Sequence, residues 1–260
     1  MCLLVLAWQA HPCYRLIVAA NRDEFHDRPA AEMAPWQEPP FILAGRDLRA
    51  GGTWLAVDRQ RRFGVVTNFR DVQPVRANAP SRGALVSAFL GEAASARSYL
   101  TALEKRAASY AGFNLLLYDG EQLWYACNRA AQFAQPLCPG IYGLSNYFLD
   151  TPWPKLTRAR RAFDGWLRAW PEATVDGLFA MLGDREPSPQ EPVPGQPPLP
   201  PEWQQVLSSP FVLHPTFGTR SASLVLIEPG GALTVRERRF DAQGQVSGAD
   251  GWTLAAGDWP

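Results

Sequence analysis

Lysine is nearly missing from this chain. Lys105 and Lys155 are the only two, although Lys and Arg together number 25. Acidic residues also number 25, so the formal net charge is zero. A neutral chain has no field to draw in a nucleic acid or an anionic membrane surface. Cysteine is sparse. Cys2, Cys13, Cys127 and Cys138 include no CxxC pair, and His11, His26 and His214 are scattered, which argues against a zinc site of the usual spacing. Four cysteines in 260 residues do not form a disulfide framework, and reduced thiols in a cytosol are the simpler reading. Long apolar runs are missing too. The opening MCLLVLAW is interrupted by Gln9, His11 and Pro12, has no basic segment before it and no clean small-residue cleavage site after it. It is neither a signal peptide nor a membrane span, and a cytoplasmic protein without a membrane-spanning segment is expected.

What is present is hydrophobic sequence (47%) with moderate charge (19%), in a chain long enough for one large domain or two small ones. Leu3–Trp8 and Arg15–Ala20 read as a buried hairpin around His11-Pro12. Residues 25–50 are rich in Pro, Arg and Asp and read as loop, with a short strand at Phe41–Ala44. After Gly51-Gly52, a second hairpin spans Thr53–Val57 and Phe63–Asn68. Ser81 is placed to cap a helix reaching Leu90, and Ser95 one reaching Ala107. Phe113–Tyr118 and Gln122–Cys127 flank Asp119-Gly120, a strong hairpin turn, and Gly140–Ser145 reads as another strand. Helices are expected at Trp153–Trp170 and Val175–Leu182.

The stretch 186–201, EPSPQEPVPGQPPLPP, is too rich in proline for helix or sheet. Only about two strands follow, Ala222–Ile227 and Leu233–Phe240, and two strands cannot stand alone. They must rejoin the earlier sheet. The reading is therefore a single α+β domain over residues 1–260, mainly antiparallel, with a proline-rich surface excursion at 186–201. Packing favours two stacked sheets with helices outside, or one sheet with helices on one face.

Cys2 is the candidate nucleophile. With Met1 removed, it would carry both a thiol and a free α-amine, whose ordinary pKa near 7.7–8.0 suits a base at neutral pH. In an antiparallel hairpin the end of the second strand lies beside the start of the first. Asn21, Arg22, Asp23 and Glu24 are thus expected near Cys2, where an acid could orient the amine. The bland readings are a merely buried cysteine and a solvated turn in which Arg22 pairs with Glu24.

The run Asn21-Arg22-Asp23-Glu24 behind Cys2 resembles the signature of the NRDE family, also called the transport and Golgi organisation protein 2 family. Gly51-Gly52-Thr53-Trp54-Leu55, Thr67-Asn68-Phe69-Arg70, Leu144-Ser145-Asn146 and Gly218-Thr219-Arg220-Ser221 are similar to it as well. The matches run from residue 2 to about residue 227. That family in turn resembles the N-terminal nucleophile hydrolases of the choloylglycine hydrolase and penicillin acyltransferase kind. The resemblance implies a four-layer α/β/β/α sandwich and a catalytic set of Cys2, Asp23, Asn68, Asn146 and Arg220. Asp23 would hold the amine, Asn68 would stabilise the oxyanion, Asn146 would hold the tetrahedral intermediate or the amine, and Arg220 would favour the thiolate.

Asn21, Arg22, Glu24, Trp54, Phe69 and Arg70 are expected to contact substrate. The hydrolases carry arginine directly before the motif's asparagine, where this chain has Ala20, and Glu24 stands where they have an aromatic residue. The pocket therefore need not follow theirs.

Asn68 and Asn146 could equally end strands, as Asn does in turns. Gly51-Gly52-Thr53-Trp54 reads as a tight turn with a packed Trp, since a phosphate loop would need a lysine and a following helix. The implied activity is attack of Cys2 on an amide or thioester through an acyl-enzyme, with no metal and no organic cofactor. The rival is a non-catalytic carrier of haem or an acyl-lipid, because the family has been linked to haem movement and lipid or acyl-CoA metabolism. A third reading is an inactive scaffold acting through a partner.

Overall fold

A computed structural model describes residues 2–71, 78–189 and 199–260, Cys2 by its backbone alone. The chain divides into two compact units. One comprises Met1–Asp27 with Pro139–Thr253, the other Arg28–Cys138 with Leu254–Pro260.

The first unit is built on six antiparallel strands in the order β10-β1-β2-β11-β12-β13. These are β1 (Cys2–Trp8), β2 (Leu16–Phe25), β10 (Gly140–Leu144), β11 (Phe217–Ile227), β12 (Leu233–Phe240) and β13 (Val246–Leu254). Leu3, Val5, Ala7, Ile17, Ala19, Ala222, Leu224 and Leu226 alternate along their strands, so they share one face. On that face pack α3 (Pro154–Arg168) and α4 (Val175–Leu182) through Leu156, Ala159, Phe163, Leu178 and Leu182. Each of the Leu and Phe side chains contributes roughly 1.5–3 kcal/mol by leaving water. Pro154 opens α3, where its missing N–H costs no bond. The Thr174 hydroxyl caps α4 by accepting from the Gly177 N–H.

The second unit is a seven-stranded meander in sequence order: β3 (Ala30–Pro35), β4 (Ile42–Asp47), β5 (Leu55–Asp58), β6 (Phe63–Asn68), β7 (Phe113–Tyr118), β8 (Leu123–Cys127) and β9 (Ala134–Pro136). Helices α1 (Gly83–Gly91) and α2 (Ala96–Glu104) cover one face, with Leu85, Phe89, Leu100 and Leu103 against Ile42, Ala56, Val66 and Leu115. Short helix α5 (Pro201–Val206) belongs to the first unit and closes a small cluster of Leu207, Val212 and Phe217.

The α+β class and the antiparallel pairing agree with the sequence reading, and β11 does rejoin the N-terminal hairpin by pairing with β2. Several boundaries differ. Strand β2 runs on through Asn21-Arg22-Asp23-Glu24 to Phe25, so the motif is sheet and not a turn, because β11 continues alongside it. The region 25–50 is not mainly loop. It holds β3 and β4, and Pro35 is tolerated because β3 is an edge strand. Ser81 does not cap α1. Arg82 occupies that position without a side-chain cap, and the Ser81 carbonyl accepts from Ala84 N–H instead.

Ser95 caps α2 as expected, accepting from Ser98 N–H, and the helix ends at Glu104 before a 3₁₀ turn at Ala107–Ser109. A third late strand, β13, extends the two anticipated. Of the proline-rich stretch, residues 190–198 lie outside the described residues, and Pro201 starts α5. Among the described residues, no helix is long and apolar enough to cross a membrane.

Candidate active site

In the first unit, the register fixes what surrounds Cys2. Its antiparallel partner on β2 is Arg22, so Asp23 stands one residue past it. On β10 the ladder to β1 ends at Leu4 opposite Leu144, two residues short of Cys2 and of Asn146. Asn146 therefore follows β10 at the end of the sheet where β1 begins. Across β2, Arg22 faces Ser221 and Asp23 faces Thr219. Arg220 is the extra residue of a β-bulge between them. Bulges of this kind bend a strand and re-aim its side chains.

Asp23 is buried, and its Oδ1 accepts a 2.7 Å hydrogen bond from Thr219 Oγ1. Thr219 Oγ1 in turn accepts from the Val212 N–H at 2.9 Å, which fixes the direction of its own proton toward Asp23. Burial raises the Asp23 pKa above the ordinary carboxylate value. The positive charge of Lys155, the Thr219 hydrogen bond and the charge of Arg22 oppose that rise without cancelling it. Arg22 itself is buried at 6% exposure, as is Ser221 at 4%, and among the described residues the Ser221 hydroxyl has no hydrogen-bond partner.

The other anticipated residues have diverse placements. The Asn21 amide donates to the carbonyls of Leu182 (2.8 Å) and Pro210 (3.0 Å), so it ties β2 to the end of α4. Glu24 is half-buried and accepts from the Phe25 N–H. Arg220 donates through Nη1 to the carbonyls of Phe25 and His26, both at 3.1 Å, clamping the end of β2. Asn146 is buried, and Ser145 Oγ donates to its Oδ1 at 3.3 Å.

Asn68, Trp54, Phe69 and Arg70 lie in the second unit. Asn68 ends β6 opposite Phe113. The Trp54 ring lies against Gly45, so closely that a Cβ there would sit 2.4 Å from it. Arg70 is half-buried, and desolvation pushes its pKa down to about 10. Phe69 lines a cavity of about 550 Å³ with Tyr110, Phe133, Arg82 and the Arg129–Asp71 ion pair. Gly52 packs directly on Gly83 and Ala84 at the start of α1, which makes the Gly51-Gly52-Thr53-Trp54 stretch a packing turn.

Lys155, Thr219 and Ser221 had no anticipated role. Lys155 carried a signal: with Ala159 and Phe163 it forms an i, i+4, i+8 series on the buried stripe of α3. Among the described residues, no three His, Cys, Asp or Glu side chains converge to hold a metal ion.

A family model described as Transport and Golgi organisation 2 matches residues 1–242. The chain belongs to the Transport and Golgi organisation 2 family. Among its relatives, the Transport and Golgi organization protein 2 homolog of Bos taurus is 34% identical over 262 residues, covering 92% of both chains. The Homo sapiens homolog is 33% identical over 256 residues, again covering 92% of both. Transport and Golgi organization protein 2 of Drosophila melanogaster is 28% identical over 250 residues, covering 88% of both. The Asn21–Glu24 motif and the start of β11, which register brings together in this chain, both fall within the family match.

Proposed function

We propose that this member of the Transport and Golgi organisation 2 family is an N-terminal cysteine hydrolase or acyltransferase for amides or thioesters, built as a four-layer sandwich of the N-terminal nucleophile kind. The observation that carries the reading is a buried carboxylate, Asp23, one residue past the register partner of Cys2. A buried, desolvated acid on the neighbouring strand, beside the head of the strand bearing the candidate nucleophile, is the partner that an α-amine base needs.

In the proposed reaction the α-amine of Cys2 takes the thiol proton and the thiolate attacks the acyl carbonyl. The amine then returns the proton to the departing nitrogen or sulfur, leaving a thioester on Cys2. Water or an acceptor amine, deprotonated by the same α-amine, breaks that thioester and regenerates the thiol. Asp23 orients the amine throughout. In this reading Asn68 and Asn146 supply amide donors to the oxyanion and the intermediate. Trp54, Phe69 and Arg70 belong to the substrate pocket.

The test is an intact mass of the purified full chain, followed by incubation with an acyl N-acetylcysteamine thioester. The reading expects loss of Met1 and a transient acyl adduct on the Cys2 peptide that Cys2→Ala abolishes. Retention of Met1 in folded protein removes the base and overturns the mechanism. Haem or acyl-lipid binding that persists in Cys2→Ala, without any adduct in the parent protein, would make the chain a carrier instead.

A further inference from the structure

Lysine is seldom buried unless something holds its charge. Here one of the chain's two lysines, Lys155, is only 3% exposed. It sits in the first turn of α3, where the positive end of the helix dipole disfavours a cation. Helix α3 packs on β10 and on β1, the strand headed by Cys2. The Lys155 ammonium lies 5.9 Å from the centre of the Trp153 ring, a weak cation–π contact that does not offset burial of a full charge. A buried opposite charge on this face of the sheet is Asp23, itself 2% exposed. Asp23 falls on the strand positions of Ile17 and Ala19, which point at α3 and α4. The charge of Lys155 acts on Asp23 against its desolvation, with the Thr219 hydroxyl and Arg22 as the further partners from β11 and β2.

We infer that Lys155 is a positioning residue for the site: its buried ammonium is the counter-charge that keeps Asp23 ionised and so able to hold the amine at Cys2. The inference rests on the reading of Cys2 as nucleophile. It gives the lysine a task that packing alone does not. Two opposite charges buried together are tolerable, and removing either strands the other. The amine that takes the thiol proton is held by Asp23, so the pair links the ionisation of Cys2 to α3.

The experiment uses the full chain with Met1 removed, and iodoacetamide as the thiol probe. The rate of alkylation of the Cys2 peptide is followed by mass spectrometry from mildly acidic to mildly alkaline pH. Lys155→Met is expected to move the rise in labelling to higher pH, with labelling about tenfold slower at neutral pH, as a shift of one unit requires. Lys155→Arg should restore most of the rate. In an Asp23→Asn background, Lys155→Met should change the profile much less, because its partner is gone.

An unchanged profile in folded Lys155→Met, or effects of the two changes that simply add, overturns the inference. If Lys155→Met does not fold, the double variant decides. Folding regained on removing both charges supports the pair, and folding still absent assigns Lys155 to packing alone. If Cys2 of the parent protein shows no titrating label, the nucleophile reading fails and the inference with it. A labelled Cys2 that ignores Lys155 sinks this inference by itself.

Discussion

A single carboxylate gives the candidate site a measurable signature. The Asp23 pKa is raised chiefly by burial, so between its unfolded and folded values the native state holds a proton that the unfolded chain has released. The stability which that proton contributes is present below the unfolded value and is lost as pH rises through the folded one. Urea unfolding repeated through the acidic range should therefore show the parent losing stability as pH rises through the folded value, a step that Asp23→Asn, which has no carboxyl to titrate and is expected to be inactive in acyl transfer, should lack. An Asn side chain keeps the oxygen that accepts from Thr219 and carries no charge to bury. Equal stability of the two proteins at every pH would show that Asp23 costs the fold nothing.

Asp23 was readable in the sequence because a hairpin argument needs only the order of the two strands. Lys155 was not, since the eye credits a lysine to the solvent face, and only its spacing with Ala159 and Phe163 says otherwise. Arg220 was readable as a residue but not as a placement. Nothing in Gly218-Thr219-Arg220-Ser221 announces a bulge, and the bulge decides that its guanidinium reaches the Phe25 and His26 carbonyls.

At the scale of elements, helix α1 depends on two residues outside itself. Gly52 brings the backbone before β5 against the first turn of α1, and a Cβ there would lie 2.5 Å from the Gly83 carbonyl carbon and 2.7 Å from the Ala84 nitrogen. Backbone atoms cannot rotate aside, so Gly52→Ala should cost about 1–3 kcal/mol of unfolding free energy in urea, the range of an overpacked site.

The other end of α1 is held by Arg62. Its Nε donates to Asp58 Oδ2 at 2.6 Å, and its Nη atoms donate to the carbonyls of Glu92 (2.6 Å) and Leu90 (2.8 Å). Burial raises the Asp58 pKa and Arg62 opposes that rise. Arg62→Met leaves the buried Asp58 carboxylate without its counter-charge and two helix-end carbonyls without that donor, so a loss of about 3–5 kcal/mol is expected. Circular dichroism during the same titration would show whether α1 frays first.

Elements with strong local signals were legible: Ser95 as a cap, Asp119-Gly120 as a hairpin turn, Val175–Leu182 as a helix. Strands β3 and β9 were not. They are short, lie at the two edges of their sheet and carry proline, so they owe their form to a neighbour and not to their own pattern.

For the whole molecule, topology separates the two units in how they can form. That the late strands return to the first hairpin followed from the sequence, because two strands make no domain. That the chain breaks into units at Asp27 and Pro139 did not, since no linker composition marks either point. The second unit's sheet is a meander in which every strand pairs with its neighbour in sequence, all within one continuous stretch. The first unit's sheet places β1 and β2 between β10 and β11, so it cannot close until the chain has gone round the whole of the second unit's sheet.

Loop closure of that length is slow to occur even though it adds little free energy, and sheets with distant pairings fold later than sheets with local ones. Pulsed hydrogen exchange during refolding should therefore find amides of β6, β7 and β8 protected before those of β1, β2 and β11. The candidate site, which needs β1, β2, β11 and α3 together, should be the last part to form, so labelling of Cys2 by iodoacetamide should reach its native rate only with the slower phase. Simultaneous protection of both sheets would mean that the β1–β2 hairpin docks before its distant partners arrive, and the site would then be organised by the hairpin alone.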